Sequence, residues 1–245
     1  YEISVRDWSS DVCSSDQAFI TGGVPPLGLG PDEIYRTTFA KTQTLVERYY
    51  QRYPEDRARV RKIYEWLESE DVRLATGDRL TGRRFRQAGN FLGMSDGADR
   101  LHYTLELPIG SRAFRYDWDA LPMPFGRHPI YAVIHEACYA DGFATRWSAD
   151  RVLPDEYASD VTLLTGEHIF PWMFADYGAL VAHREAAELL AEHEWPRLYD
   201  EDVLRDNEVP VAAAVYFDDP YVDAELSLRT VDQRSIGRAS CRERV

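Results

Sequence analysis

Val209-Pro-Val-Ala-Ala-Ala-Val-Tyr-Phe-Asp-Asp219 is a short apolar run, rich in small and β-branched residues, that ends in two acids. Such a run, entered through Asn207 and Pro210, reads as a buried strand of a parallel sheet. In open α/β sheets the working residues lie just past the carboxyl ends of the strands. An acid at that place matches the acidic member of a catalytic triad. The competing reading is local: Asp218 or Asp219 starts the helix that follows Pro220.

Working outward, the chain before this strand is helical. Pro31-Asp32 opens a helix whose Ile34, Tyr35, Phe39, Leu45, Val46, Tyr49 and Tyr50 form one apolar face. Pro54 breaks it, and Val60, Ile63, Tyr64 and Leu67 recur at helical spacing in the next. Val72–Leu80 reads as a turn between two brief extended pieces, after which Thr81 caps a helix. Pro129 begins another helix, with Ile130, Val133, Ile134, Ala137 and Cys138 expected inside. Further helices are expected over about Ala144–Arg151 and Ala179–Glu194, and residues 108–127 resist assignment. Ala18-Phe-Ile20, before a Gly/Pro loop, reads as the end of a strand. The order is strand end, long helical excursion, core strand: an α/β protein with a helical insertion.

The composition narrows the partners. With 42 acids against 28 bases the formal charge is −14, which argues against nucleic acid and anionic membranes. No run approaches a transmembrane helix, and no signal peptide pattern opens the chain. Cys13, Cys138 and Cys241 are scattered and lack metal spacing. A reducing, cytoplasmic setting is the expectation.

The two ends differ from the rest. Residues 1–17 and 232–245 lack apolar period and read like translated sequencing adapters. They are set aside from fold reasoning as artefactual tails. The expected division is then 18–31 strand end and loop, 32–193 helical cap, and 194–231 later α/β core. On that view the chain is a fragment whose early core strands are missing, and poor solubility is expected of it.

Three places carry candidate chemistry. Gly93-Met-Ser-Asp-Gly97 matches the nucleophile-elbow pattern, but that motif needs a preceding strand, and Arg83–Asn90 reads as helix. Ser95 is therefore read as a chance match in a turn. His135-Glu136 lacks the second histidine of a metal motif, since Tyr139 stands there; a core histidine or a helix-surface pair is the better reading. Glu167-His168 lies among Phe170, Trp172 and Phe174, where a carboxylate can bind an amine in an aromatic-walled pocket. The alternative is a helix-start glutamate under core aromatics.

Taken together, Thr21-Gly-Gly-Val-Pro-Pro-Leu27, Gly77-Asp-Arg-Leu-Thr81, Leu92-Gly-Met-Ser-Asp-Gly97, His135-Glu-Ala-Cys-Tyr139, Leu164-Thr-Gly-Glu167, Phe170-Pro-Trp-Met-Phe174 and Glu208–Val215 are similar to the proline iminopeptidases, most of all the actinobacterial type. These are serine peptidases of the α/β-hydrolase superfamily. The resemblance implies a helical cap over a hydrolase sheet, with Asp219 as the triad acid and Glu167 holding the free amino terminus of a short peptide. It implies no metal or organic cofactor. The family's nucleophile and oxyanion-hole glycines are due before Phe19, and its histidine after Val231, so the chain as it stands is expected to be inactive. The usual Gly-Arg-Tyr-Asp before the acid is replaced by Tyr216-Phe-Asp-Asp219, which keeps Asp218 as a rival. A hydrolase-like binding protein, or a cofactor-free hydrolase of esters or epoxides, are the alternatives from other classes.

Overall fold

The computed structural model describes residues 18–120, 125–206, 208–233 and 238–242. They divide into two units. One comprises the described residues up to Leu27 together with those from Tyr199; the other is the continuous run Gly28–Leu198.

In the first unit the apolar run is a strand. Val211–Tyr216 forms β2, flanked by β1 (Ala18–Ile20) and β3 (Arg238–Arg242). Both pairings are parallel, with Phe19 beside Ala212 and Ala214 beside Ser240. A parallel neighbour requires a crossover connection. The helix Ala224–Gln233 supplies it between β2 and β3, and the whole of the other unit intervenes in sequence between β1 and β2. This is an α/β architecture.

Burial along β2 departs from the expectation of a strand covered on both faces. Ala213 and Val215 are buried, whereas Ala212, Ala214 and Tyr216 are half-buried. The reason is layering: Ala213 packs with Ile20, Val24 and Val231, while Phe19, on the Ala212 face, is 73% exposed. β3 falls within the end set aside as patternless. It has no alternating apolar residues, but ladder hydrogen bonds are made by backbone and need none.

The loop after β1 is fastened to the crossover helix. Ser227 Oγ donates to the Val24 carbonyl (2.9 Å) and accepts from the Val24 amide (3.3 Å). Thr230 Oγ1 donates to the Pro25 carbonyl. Gly23 has φ +82°, and a Cβ there would lie 2.7 Å from Val222, so glycine is required on both counts.

The second unit is helical. Pro31–Arg52 and Pro54–Ser69 each begin with proline at the first turn, where its missing N–H costs nothing. Their buried faces are those the spacing predicts: Tyr35, Phe39, Val46 and Tyr49 on the first, Val60, Ile63 and Leu67 on the second. Two apolar cores result. One gathers Ile63, Leu67, Phe85, Phe114 and Trp118; the other gathers Tyr35, Phe39, Phe170, Met173 and Phe174. Fully burying side chains of this size contributes about 1.5–3 kcal/mol each. Arg73 and Arg79 form the anticipated bridge, and Thr81 Oγ1 caps the helix Gly82–Arg86 by accepting from the Arg84 amide (3.2 Å). The unassigned region contains the helix Arg112–Ala120, which buries Phe114 and Trp118 four residues apart.

Three helical expectations need correction. After Pro129 the α-helix stops at Ile134 and tightens into a 3₁₀ turn over His135–Tyr139. The expected face is the outer one: Ile130, Ile134 and Cys138 are exposed, and the opposite side, with Ala132, His135 and Glu136, is buried. The helix expected from Ala144 is only Ser148–Arg151, because Arg146 and Trp147 take positive φ of 49° and 57°. The Arg146 amide donates to the Ala191 carbonyl and Trp147 packs on Phe174, which holds that turn. The helix expected over Ala179–Glu194 is broken into Gly178–Val181 and Arg184–Glu192, which bury Leu180 and Ala187 and leave Leu190 half-buried.

Candidate substrate-binding site

The loop Leu164–His168 is anchored on both sides of Glu167. Before it, the Thr165 amide donates to the Arg86 carbonyl (2.8 Å) and Gln87 Nε2 donates to Thr165 Oγ1 (2.9 Å). After it, His168 is fully buried and stacks on Phe39 at 3.7 Å between ring centres, 5° from parallel. Its hydrogen bonds fix its state. The Gly166 amide donates to Nδ1 (3.1 Å), so Nδ1 is the acceptor and the proton sits on Nε2, which reaches Thr38 Oγ1 at 3.1 Å. Thr38 Oγ1 in turn donates to the Tyr35 carbonyl (3.1 Å). Burial, with His135 nearby as the smaller cause, pushes the His168 pKa down to about 3. His168 is thus a neutral internal pillar for the loop.

Between these anchors Glu167 projects toward the helix that begins at Pro129. Tyr131 donates its hydroxyl to Oε1, and His135 Nε2 lies 3.7 Å from Oε2. Tyr131 keeps its proton: burial, then the charge of Glu167, raises the phenol well above its ordinary range. His135 is 6% exposed, and its Nδ1 lies 3.3 Å from the Tyr35 hydroxyl. Tyr35 also holds its proton, chiefly because it is completely buried and secondly because of Glu136. The Tyr35 hydroxyl and His135 Nδ1 thus share a hydrogen bond, and the other ring nitrogen, Nε2, faces Glu167. Tyr139 stands edge-on to Tyr35 at 5.2 Å and to His135 at 5.8 Å, adding an aromatic wall. Glu167 itself keeps 24% of its side chain exposed. The result is a partly open carboxylate lined by phenols and an imidazole.

The neighbouring acid has other work. Glu136 is buried, its Oε1 accepts from the Ala149 amide (2.9 Å), and it thereby closes the first turn of Ser148–Arg151. Burial raises its pKa. Burial followed by the charge of Glu167 likewise raises the Cys138 thiol, away from the thiolate form.

In the other unit, Asp219 is buried and Asp218 half-buried just past the carboxyl end of β2. Asp219 Oδ1 accepts from the amides of Tyr221 (2.8 Å) and Val222 (3.1 Å), an Asx turn rather than the start of a helix. The helix that follows begins at Ala224 and takes its cap from Asp223, whose Oδ1 accepts from the Leu226 amide. Two backbone donors fix one Asp219 oxygen and so orient the carboxylate.

Ser95 is exposed on a turn between a 3₁₀ helix (Gln87–Gly93) and the helix Gly97–Leu105, with no strand ahead of it. Gly97 answers to packing: a Cβ there would fall 1.7 Å from the Phe91 carbonyl oxygen. Among the described residues no group of three or more His, Cys, Asp and Glu is placed to hold a metal ion, and no helix is long and apolar enough to cross a membrane. Cys13 and Cys241 lie outside the described side chains. Sequence reasoning left His135 as a core histidine or part of a helix-surface pair and passed over Tyr131. The one available signal was their i, i+4 spacing, which sets both on one helix face.

No model of a known protein family matches the chain. Proline iminopeptidase of Aeromonas sobria is 39% identical to it over 237 residues, which is 92% of this chain and 55% of that protein. Proline iminopeptidase aneH of Aspergillus aculeatus is 32% identical over 238 residues, 89% of this chain and 51% of that protein. The chain spans about half the length of the curated relatives it matches. Over the span matched, the chain is similar to these two proline iminopeptidases.

Proposed function

We propose that the whole protein is a serine aminopeptidase of α/β-hydrolase type, releasing proline from the amino terminus of short peptides. In this reading the helical unit serves as the family's cap, Glu167 binds the substrate ammonium and Asp219 is the acid of a Ser-Asp-His triad. The serine and histidine are supplied by parts of the protein outside the described residues, and this chain alone does not turn over a proline arylamide. No metal or organic cofactor takes part, and the protein works in the cytoplasm.

The observation that carries the reading is the Glu167 environment. An isolated carboxylate among aromatics is costly to keep charged. Here Tyr131 donates to one oxygen, His135 Nε2 lies 3.7 Å from the other, and 24% of the side chain is exposed. A carboxylate has about four acceptor positions, enough to take an ammonium as well. That arrangement selects substrates with a free amino terminus and restricts cleavage to the first residue.

The test is Glu167→Gln in the full-length protein, assayed on a proline arylamide and on a neutral ester. An aminopeptidase loses most of its turnover of the arylamide and keeps the ester reaction. Equal loss of both, or of neither, overturns the assignment of Glu167.

A further inference from the structure

Resting on the reading of Glu167 as the amine-binding carboxylate, we propose that Gln87 is a positioning residue for it. The Gln87 carboxamide bridges the residues on either side of Gly166-Glu167 and so holds the carboxylate where the substrate ammonium meets it.

Gln87 opens the 3₁₀ helix Gln87–Gly93 and is completely buried. Its Nε2 donates to Thr165 Oγ1 (2.9 Å) and to the His168 carbonyl (3.4 Å). A carbonyl oxygen only accepts, so the amide nitrogen is the end that faces His168. Thr165 and His168 enclose Gly166-Glu167, and one amide group thus spans the loop. The same 3₁₀ helix packs directly on the loop backbone: a Cβ at Gly89 would lie 2.6 Å from the Thr165 carbonyl oxygen.

The remaining contacts hold the two ends separately. Ahead of the loop, Arg86 Nε donates to the Leu163 carbonyl (2.7 Å) and Nη1 to the Tyr157 carbonyl (2.9 Å). After it, the His168 ring stacks on Phe39, and the His168 amide donates back to the Gly166 carbonyl (2.9 Å). Gln87 is the side chain that joins the residue leading in to the residue leading out, across the one that carries the carboxylate.

Stability alone does not account for a glutamine here. Its Oε1 is buried with no hydrogen-bond partner among the described residues, and an orphaned buried acceptor is destabilising. An apolar side chain of the same length removes that orphan. What it cannot do is bridge Thr165 to His168.

The test is Gln87→Met in the full-length protein, with steady-state kinetics on a proline arylamide and on a neutral ester. The ammonium contact is made in ground and transition states alike, so its weakening raises KM and spares kcat. KM for the arylamide rises by roughly tenfold with kcat within about twofold, and neither parameter moves for the ester. The melting temperature stays within about 4 °C of wild type, because the orphaned oxygen leaves together with the two bonds. Thr165→Val, which removes the hydroxyl end of the bridge, shifts KM in the same direction. In a Glu167→Gln background, Gln87→Met lowers kcat/KM by less than about twofold, since it acts through the carboxylate.

Equal loss on arylamide and ester, or the same loss of kcat/KM with and without Glu167, makes Gln87 a structural residue and overturns the proposal. A Gln87→Met protein that melts far below wild type, with KM unchanged in Thr165→Val, overturns it as well. If KM is unchanged in both variants while Glu167→Gln impairs the arylamide reaction, the inference alone fails. If Glu167→Gln leaves arylamide turnover intact, the reading of the site fails and this inference with it.

Discussion

The Tyr131 hydroxyl donates to Oε1 of Glu167 across 36 residues of sequence. A helix and a loop are joined at the atom proposed to meet the substrate. A hydrogen bond to a charged acceptor is worth about 1.5–3 kcal/mol. Tyr131→Phe keeps the ring and removes that bond, so Glu167 gains freedom to turn. L-prolinamide binding is expected to weaken by roughly three- to tenfold, which is about half of that energy. Calorimetric titration at neutral pH measures it. Unchanged affinity shows that Tyr131 does not orient the carboxylate.

Stability should depend on pH through His168. Its folded pKa is about 3, against an ordinary value of 6.5. The unfolded chain therefore binds a proton that the native state refuses, and stability falls as pH drops from about 6.5 toward 3. Above the upper value the group costs nothing. Thermal unfolding followed at a series of pH values should show this decline. His168→Gln lowers the melting temperature at neutral pH, because the stack on Phe39 is lost, but flattens the acid slope. A variant with the wild-type slope places the acid sensitivity elsewhere.

These two residues mark what the sequence does and does not disclose. The strand β2 was legible because an apolar run that stops at two acids has few other readings, and the long helices because Pro31 and Pro54 mark their starts. Glu167 was legible as a carboxylate among aromatics. Tyr131 and His135 were not, since their partner lies in a distant segment and spacing on a helix says nothing of what the face meets. The buried face of the Pro129 helix was misjudged for a related reason: Ile130 and Ile134 mark an apolar stripe, but the side that carries Ala132, His135 and Glu136 is the one buried. Side chains at β3 carry no pattern at all, and backbone pairing left no trace to read.

The Gly93–Gly97 turn gives a paired prediction. Ser95 is exposed and its substitution should be silent: Ser95→Ala changes stability by less than about 0.5 kcal/mol and leaves proline arylamide turnover by the full-length protein unaltered. Gly97→Ala cannot be silent, because the added carbon would overlap the Phe91 carbonyl. Overpacking of this kind costs about 1–3 kcal/mol or more. Chemical denaturation of the two variants measures both effects. Loss of turnover in Ser95→Ala with intact folding would restore the nucleophile reading of the motif.

The two acids after β2 are separable by the same logic of local bonds. Asp219 has one oxygen fixed by the amides of Tyr221 and Val222, whereas Asp218 is the less buried of the pair. Asp219→Asn keeps an acceptor oxygen for the turn and removes the charge, so folding is retained. Asp219→Ala also loses the turn, at about 0.5–2 kcal/mol by analogy with a helix cap. If Asp219 orients the triad histidine, Asp219→Asn in the full-length protein lowers kcat by roughly four orders of magnitude with KM little changed. Asp218→Asn should leave kcat within about twofold, since an acid outside the triad touches no reacting group. Steady-state kinetics on a proline arylamide decide between them. A collapse of kcat in Asp218→Asn, with Asp219→Asn active, would transfer the role to Asp218 and leave Asp219 as the residue that shapes the loop.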